Sequence, residues 1–322
     1  MPFLARPITD RATWLEWRRQ CVTASRVCQL PAFDCSPFKE CTPLRLYAEL
    51  RGVEFPDRDD NKILRRGRWL EPSIGLACSE LRPEWTITPA KEFLTDGALG
   101  ATPDFYVDGD PRGRAVLQAK SVAPSVYAKE WQGGKEIPFW IVLQTLTECM
   151  LSDAAFGVVA ALLVDAYAMD CAILEVPRHP AAEAKIRAEA ERFMADVRNM
   201  VEPDPDFSRD GSMLKLLLPK EQPGKALDLI GNNAMAEKLA ARAELCQRIK
   251  NDKIAIEAIE NELKFMMQDA ERIDGLPGWR ATFKTTHYKG YTVEPRDIRV
   301  LRIQDKRPPE ERPGGDNDSD EN

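Results

Sequence analysis

Asp104, Gln118 and Lys120 are the residues whose types and spacing first suggest chemistry. Asp104 follows a tight Gly-Ala-Thr-Pro lead-in, Gly100 to Pro103, on a strand-like segment. Gly109, Pro111 and Gly113 then mark a hairpin turn before a returning strand, Ala115 to Lys120. Positions two apart on a strand share a face, so Gln118 and Lys120 project together and the hairpin lays Asp104 beside them. Glu71, on the preceding helical stretch, adds a second acid. Oxygen donors at that density suit Mg²⁺ or Mn²⁺, and a lysine beside them can orient or deprotonate a water. That is equipment for phosphodiester hydrolysis. A surface hairpin with ordinary polar residues has the same spacing, and spacing alone does not separate the two.

The elements that must hold these residues read as an α/β domain. A helix from Arg11, a turn and a second helix start occupy the stretch to Gln29, with Thr23 or Ser25 as the cap of the latter. Pro31 to Thr42 is a loop. Pro43 to Leu50 and Lys62 to Leu81 are helical, the second with Ile63, Leu70, Ile74 and Ala77 inward. Strands are expected at Trp85–Pro89, Glu92–Leu94, Gly100–Val107, Ala115–Lys120, Phe156–Val164 and Met169–Val176, with helices at Ile137–Leu151 and Pro180–Val201. This order predicts a mixed central β-sheet flanked by helices over residues 1–202. Pro203 and Pro205 open a linker, 203–231, and a helical extension with a small hairpin around Gly290 spans 232–304. In that extension Leu245, Ile249, Ile256, Ile259, Leu263 and Met266 make one apolar stripe, interrupted by Asp252. Residues 305–322 form a low-complexity acidic tail, expected to be disordered.

Composition narrows the choice. With 322 residues, 43% hydrophobic and 30% charged, the chain can bury a sizeable core. No apolar run reaches the ~18 residues of a membrane span, and no signal-like segment opens the chain, so a cytoplasmic location in a host cell is the expectation. The net charge of −7 is concentrated in the tail, while Arg18, Arg19, Arg26, Lys62, Arg65, Arg66 and Arg68 leave room for a local basic face. The eight cysteines include no Cys-x-x-Cys pair, and there are only two histidines, so zinc-site spacing is absent and any hydrolysis must rest on carboxylates, lysine and metal.

Around the hairpin the sequence resembles the PD-(D/E)XK nuclease superfamily, specifically the YqaJ-type viral recombinase group related to the lambda phage exonuclease. The blocks stand in the family's order: Thr23-Ala24-Ser25-Arg26, Thr42-Pro43-Leu44 with Tyr47, Gly67 through Glu71-Pro72, Gly100 to Asp104, Leu117-Gln118-Ala119-Lys120, and Gln144 with Glu148 and Met150. The resemblance covers about residues 10–200, and more loosely reaches Ile303. It implies a restriction-endonuclease-like core and a Mg²⁺-dependent exonuclease, with Mn²⁺ as substitute, acting on linear double-stranded DNA from the 5′ end in phage-type recombination. It implies Asp104 as the central metal ligand, Glu71 as a second acid, Gln118 and the Ala119 carbonyl as further ligands, and Lys120 as the catalytic lysine. Ser25, Arg26 and Arg65 would meet DNA phosphates, and Gln144 would brace the site or touch the cut strand. A single-strand annealing protein as partner and a ring-shaped homotrimer are further implications.

One position departs from the family: Gln118 stands where a Glu is usual, bringing an amide oxygen but no charge. Asp108 and Asp110 lie on the turn, too far from Lys120 to replace it. The alternatives are therefore a non-catalytic DNA-end-binding module with the same fold, and a structure-specific endonuclease of the superfamily. Arg26 as plain surface, Gln144 as a buried polar group, and Trp131, Phe139 and Trp140 as core or subunit contact stay open beside their functional readings.

Overall fold

Phe156 to Val164 is apolar at every position, the mark of a strand covered on both faces, and it lies at the heart of the structure. The structure is a computed structural model that describes residues 4–55, 62–275, 277 and 279–287. Two compact units divide at Leu217/Leu218.

The first unit runs β1 (Leu4–Pro7), α1 (Arg11–Arg18), β2 (Val22–Thr23), a 3-10 turn (Ala24–Gln29), α2 (Pro43–Leu50), α3 (Lys62–Leu81), β3 (Thr86–Pro89), β4 (Glu92–Thr95), β5 (Leu99–Ala101), β6 (Phe105–Asp108) and β7 (Ala115–Val122). It continues through α4 (Pro124–Glu130), α5 (Phe139–Ser152), β8 (Phe156–Val164), β9 (Met169–Pro177), α6 (Pro180–Asn199) and α7 (Gly211–Leu217). A five-stranded mixed sheet has the order β3-β6-β7-β8-β9, with β7 and β8 parallel and the other pairs antiparallel. A smaller sheet has the order β1-β4-β5-β2. The expected fold class, a mixed sheet flanked by helices, is what forms.

Helices α3 and α5 cover opposite faces of the large sheet. Val158, Ala160 and Leu162 of β8 pack with Ile74 and Cys78 of α3, whereas Val159 and Ala161 share a core with Ile141, Leu143 and Leu146 of α5. Each buried Val or Leu side chain contributes about 1.5–3 kcal/mol. Gly157 lets α5 approach closely, because a Cβ there would collide with the Thr145 methyl. That approach sets α5, and hence Gln144, against β7.

Several expectations are corrected. The stretch Gly100–Val107 is not one strand: Pro103 ends β5 in the small sheet, and β6 restarts in the large one. The segment after Thr23 is a 3-10 turn without a side-chain cap. Ile63 is 77% exposed rather than inward. The proposed linker from 203 is structured in its first part, since Asp210 accepts the buried Thr42 hydroxyl at 2.5 Å and Met213 of α7 packs on Leu44 and Ala48.

In the second unit, residues 232–267 form one helix, α8 (Asn233–Met267), capped by the Asn232 side chain on the Met235 amide. Its stripe is exposed: Leu245, Ile249, Ile256, Ile259 and Met266 are all more than half accessible, and only Met267 is buried. A two-residue pairing joins β10 (Arg272–Ile273) to β11 (Ala281–Thr282). Gly290, Tyr291–Val293 and the acidic tail lie outside the described residues.

Candidate active site

Asp104 sits where the chain passes from one sheet to the other, one residue before β6. Phe105 pairs with Leu117 across the β6–β7 ladder, which brings Asp104 to Gln118. On β7, Leu117 packs toward α3, so its neighbours Gln118 and Lys120 face α5. The Asp104 Oδ2 accepts the Ala119 amide hydrogen at 2.8 Å and an amide hydrogen of Gln118 Nε2. Gln118 Oε1 in turn accepts from Gln144 Nε2 at 2.6 Å, and the same amide nitrogen donates to Glu148 Oε1 at 2.9 Å. The Lys120 ammonium donates to Gln144 Oε1 at 3.1 Å and lies 5.3 Å from the centre of the Trp140 ring.

Burial dominates the electrostatics, since taking charge from water favours the neutral form of every group. It raises the Asp104 pKa, against Lys120, the Ala119 amide and Gln118, which favour the carboxylate. It pushes half-buried Glu71 up to about 7, helped by the Asp104 charge and opposed by Lys120. It pushes fully buried Glu148 up to about 8, again with Asp104 adding and with Gln144 and Lys120 opposing. It lowers the Lys120 pKa, against the attraction of Asp104 and Glu148. Three carboxylates thus share one interior region with a single ammonium.

A stability prediction follows. Glu71 and Glu148 titrate above their ordinary value of 4.5, so the folded chain holds protons that the unfolded chain has lost. Their favourable contribution is complete below about 4.5 and fades as pH rises through about 7 and about 8. The melting temperature of cation-free protein is therefore expected to fall between pH 5.5 and 8.5, measured by calorimetry, and to fall less in Glu71→Gln and Glu148→Gln. A flat wild-type profile would contradict these shifts.

The donor set fits a hard divalent cation. Glu71 and Asp104 are carboxyl groups, the Asp104 charge making ionisation of Glu71 costlier in the absence of a cation, and the buried Glu148 Oε2 has no hydrogen-bond partner. Among the described residues no three His, Cys, Asp or Glu side chains form a metal cluster by themselves, so amide or backbone oxygens must complete any ligand set. As it stands, Gln118 turns its amide hydrogens, not its oxygen, toward Asp104, and Ala119 offers Asp104 its N–H.

A second cluster lies where the 3-10 turn packs on α5. Ser25 Oγ stands 3.4 Å from Arg18 Nη2 and 3.3 Å from Thr23 Oγ1. Arg26 pairs with Glu49 at 2.6 Å, and its Nη1 has no hydrogen-bond partner. Burial, with Arg26 second, lowers the Arg18 pKa to about 10, so a partly buried cation waits beside Ser25. Arg65 stacks on Trp69, 5.6 Å from the ring centre. Asp108 and Asp110 are tied to Arg114 and Arg112 at 2.9 Å each, away from Lys120. Trp131 is core, as its burial shows, while Trp140 lies over Lys120. Sequence reading gave no role at the site to Arg18, seven residues before Ser25, or to Glu148, one helical turn after Gln144.

Asp104, Gln118 and Lys120 are thus gathered at the β6–β7 ladder of the mixed sheet. Residues 13–155 match the family model of the YqaJ-like viral recombinase domain. Among solved structures the chain is similar to the alkaline exonuclease LHK-Exo of Laribacter hongkongensis, at 20% identity over 59% of this chain and 94% of that one, with a TM-score of 0.44. Its complex with dAMP matches at 21% identity over the same shares, with a TM-score of 0.45. A phage-related exonuclease of Haemophilus somnus 129PT matches at 12% identity over 56% of this chain and 95% of that one, with a TM-score of 0.41. No curated protein matches significantly. Among the described residues no helix is long and apolar enough to cross a membrane.

Proposed function

We propose that the first unit is a divalent-cation-dependent exonuclease that hydrolyses phosphodiester bonds of linear double-stranded DNA, proceeding 5′ to 3′ in phage-type recombination. One observation carries this reading: Asp104, Gln118 and Lys120 are joined through Gln144 in a single hydrogen-bonded cluster, with Glu71 close enough to sense Asp104 and Lys120. Mg²⁺, or Mn²⁺ in its place, held by Asp104 and Glu71 with amide or backbone oxygen of Gln118 and Ala119, would acidify a water and neutralise phosphate charge. The chain's residues do the rest. Lys120, steadied by Gln144 and Trp140, orients the attacking water and supports the negative charge that develops on the phosphate. Arg18 and Ser25 offer a cation and a hydroxyl to a terminal phosphate, a task that the resemblance had assigned to Ser25 and Arg26. Pairing with a single-strand annealing protein and assembly into a homotrimer belong to the same proposal.

The test uses duplex DNA labelled at its 5′ ends and covalently closed circles, each with Mg²⁺. Linear DNA should shorten from its ends with early release of label, and circles should survive. Circles cut at the linear rate would favour a structure-specific endonuclease, and end binding without hydrolysis would favour a non-catalytic module.

A further inference from the structure

We propose that Glu148 is a positioning residue of this site: from α5 it supplies the negative charge that position 118 lacks and, through Gln144, orients both Gln118 and the Lys120 ammonium. The inference deepens the proposed function and rests on its metal site.

The polarity of the hydrogen bonds carries the argument. An amide side chain can present either its oxygen or its nitrogen, so its neighbours decide. Asp104 and Glu148, when ionised, only accept, and the Lys120 ammonium only donates. With acceptors at both ends, each amide has one consistent direction. Gln144 turns its nitrogen to Glu148 and Gln118, and its oxygen to Lys120. Gln118 then turns its oxygen to Gln144 and its nitrogen to Asp104. Asp104 Oδ2 is thereby held by two donors. Remove the carboxylate at 148 and Gln144 loses the charged partner that holds its nitrogen, which loosens its hold on Lys120.

Glu148 otherwise has no reason to be a carboxylate. It is wholly inaccessible, no cation forms an ion pair with it among the described residues, and its Oε2 has no hydrogen-bond partner. A buried acid left so incompletely satisfied destabilises a fold that an isosteric amide would suit as well. Asp104 adds to the rise in the Glu148 pKa, so the two carboxyl groups sense each other, and a cation held at Asp104 would favour the ionised form of both. An amide at 118 and a carboxylate at 148 together keep the acid count that a Glu at 118 alone would give.

The experiment is a charge swap read by Mn²⁺ binding in calorimetry and by melting temperature, on the full chain. Glu148→Gln should melt no lower than wild type without cation yet bind Mn²⁺ about 10- to 100-fold more weakly, the usual effect of losing a supporting partner. The double variant Gln118→Glu/Glu148→Gln should regain wild-type affinity to within about threefold. Should the single variant not fold, the double variant carries the test alone. Wild-type affinity in a folded Glu148→Gln, or no binding by the double variant, would overturn the inference. Mn²⁺ binding by wild type without hydrolysis would sink the nuclease reading and leave this one standing. A wild type that binds no Mn²⁺ would sink both.

Discussion

Lys120→Ala should reduce hydrolysis of linear duplex about a thousandfold at saturating Mg²⁺, a loss of about 4 kcal/mol of transition-state stabilisation. The ammonium is the one cation hydrogen-bonded into the cluster, fixed by Gln144 at 3.1 Å and bordered by the Trp140 ring. Being largely removed from water, it interacts with developing phosphate charge more strongly than a surface lysine could. The same burial lowers its pKa, which brings it nearer the range where it can exchange a proton with a water. Alanine keeps β7 intact, because the Lys120 backbone pairs in the ladder with Ala161 regardless of side chain. Binding of DNA ends, measured by anisotropy, should change little. Single-turnover digestion is the check, and equal rates for wild type and variant would refute the role of Lys120.

Asp104→Asn should abolish hydrolysis to a similar degree, about a thousandfold or more, for a different reason. Asp104 Oδ2 takes two hydrogen bonds from Gln118 and Ala119, so the carboxylate is oriented before any cation arrives. An asparagine keeps one oxygen for these donors but removes the charge that a hard cation needs. Glu71 would then lose the neighbour that helps raise its pKa to about 7. Its titration, followed by NMR in cation-free protein, should move toward its ordinary 4.5. A variant with unchanged activity, or with Glu71 titrating as before, would remove Asp104 from the centre of the site.

Much of this site was legible in the chain. Strand alternation alone puts Gln118 and Lys120 on one face, and a hairpin of this length returns that face to Asp104. The division of Gly100–Val107 between two sheets was not legible, because the apolar pattern continues across Pro103 and only tertiary pairing separates β5 from β6. Arg26 was assigned to phosphate by its place in the Thr23-Ala24-Ser25-Arg26 block. The 3-10 turn pairs it with Glu49 and sets Arg18, on the preceding helix, beside the Ser25 hydroxyl, a neighbour that sequence spacing does not reveal. Glu148 was read only as part of a family block. An acid in a helix this apolar has no sequence signature for the hydrogen bond it makes to Gln144. The apolar stripe of α8 implied burial, yet within its own unit those side chains are exposed, since periodicity describes a face and not what covers it.

The central claim is that Asp104 and Glu71, with the β7 residues beside them, gather around one divalent ion. Calorimetric titration of the full chain with Mn²⁺ tests it most directly. Saturable binding by wild type that disappears in Asp104→Asn is the predicted result; no binding by wild type, or the same isotherm in both proteins, would contradict it.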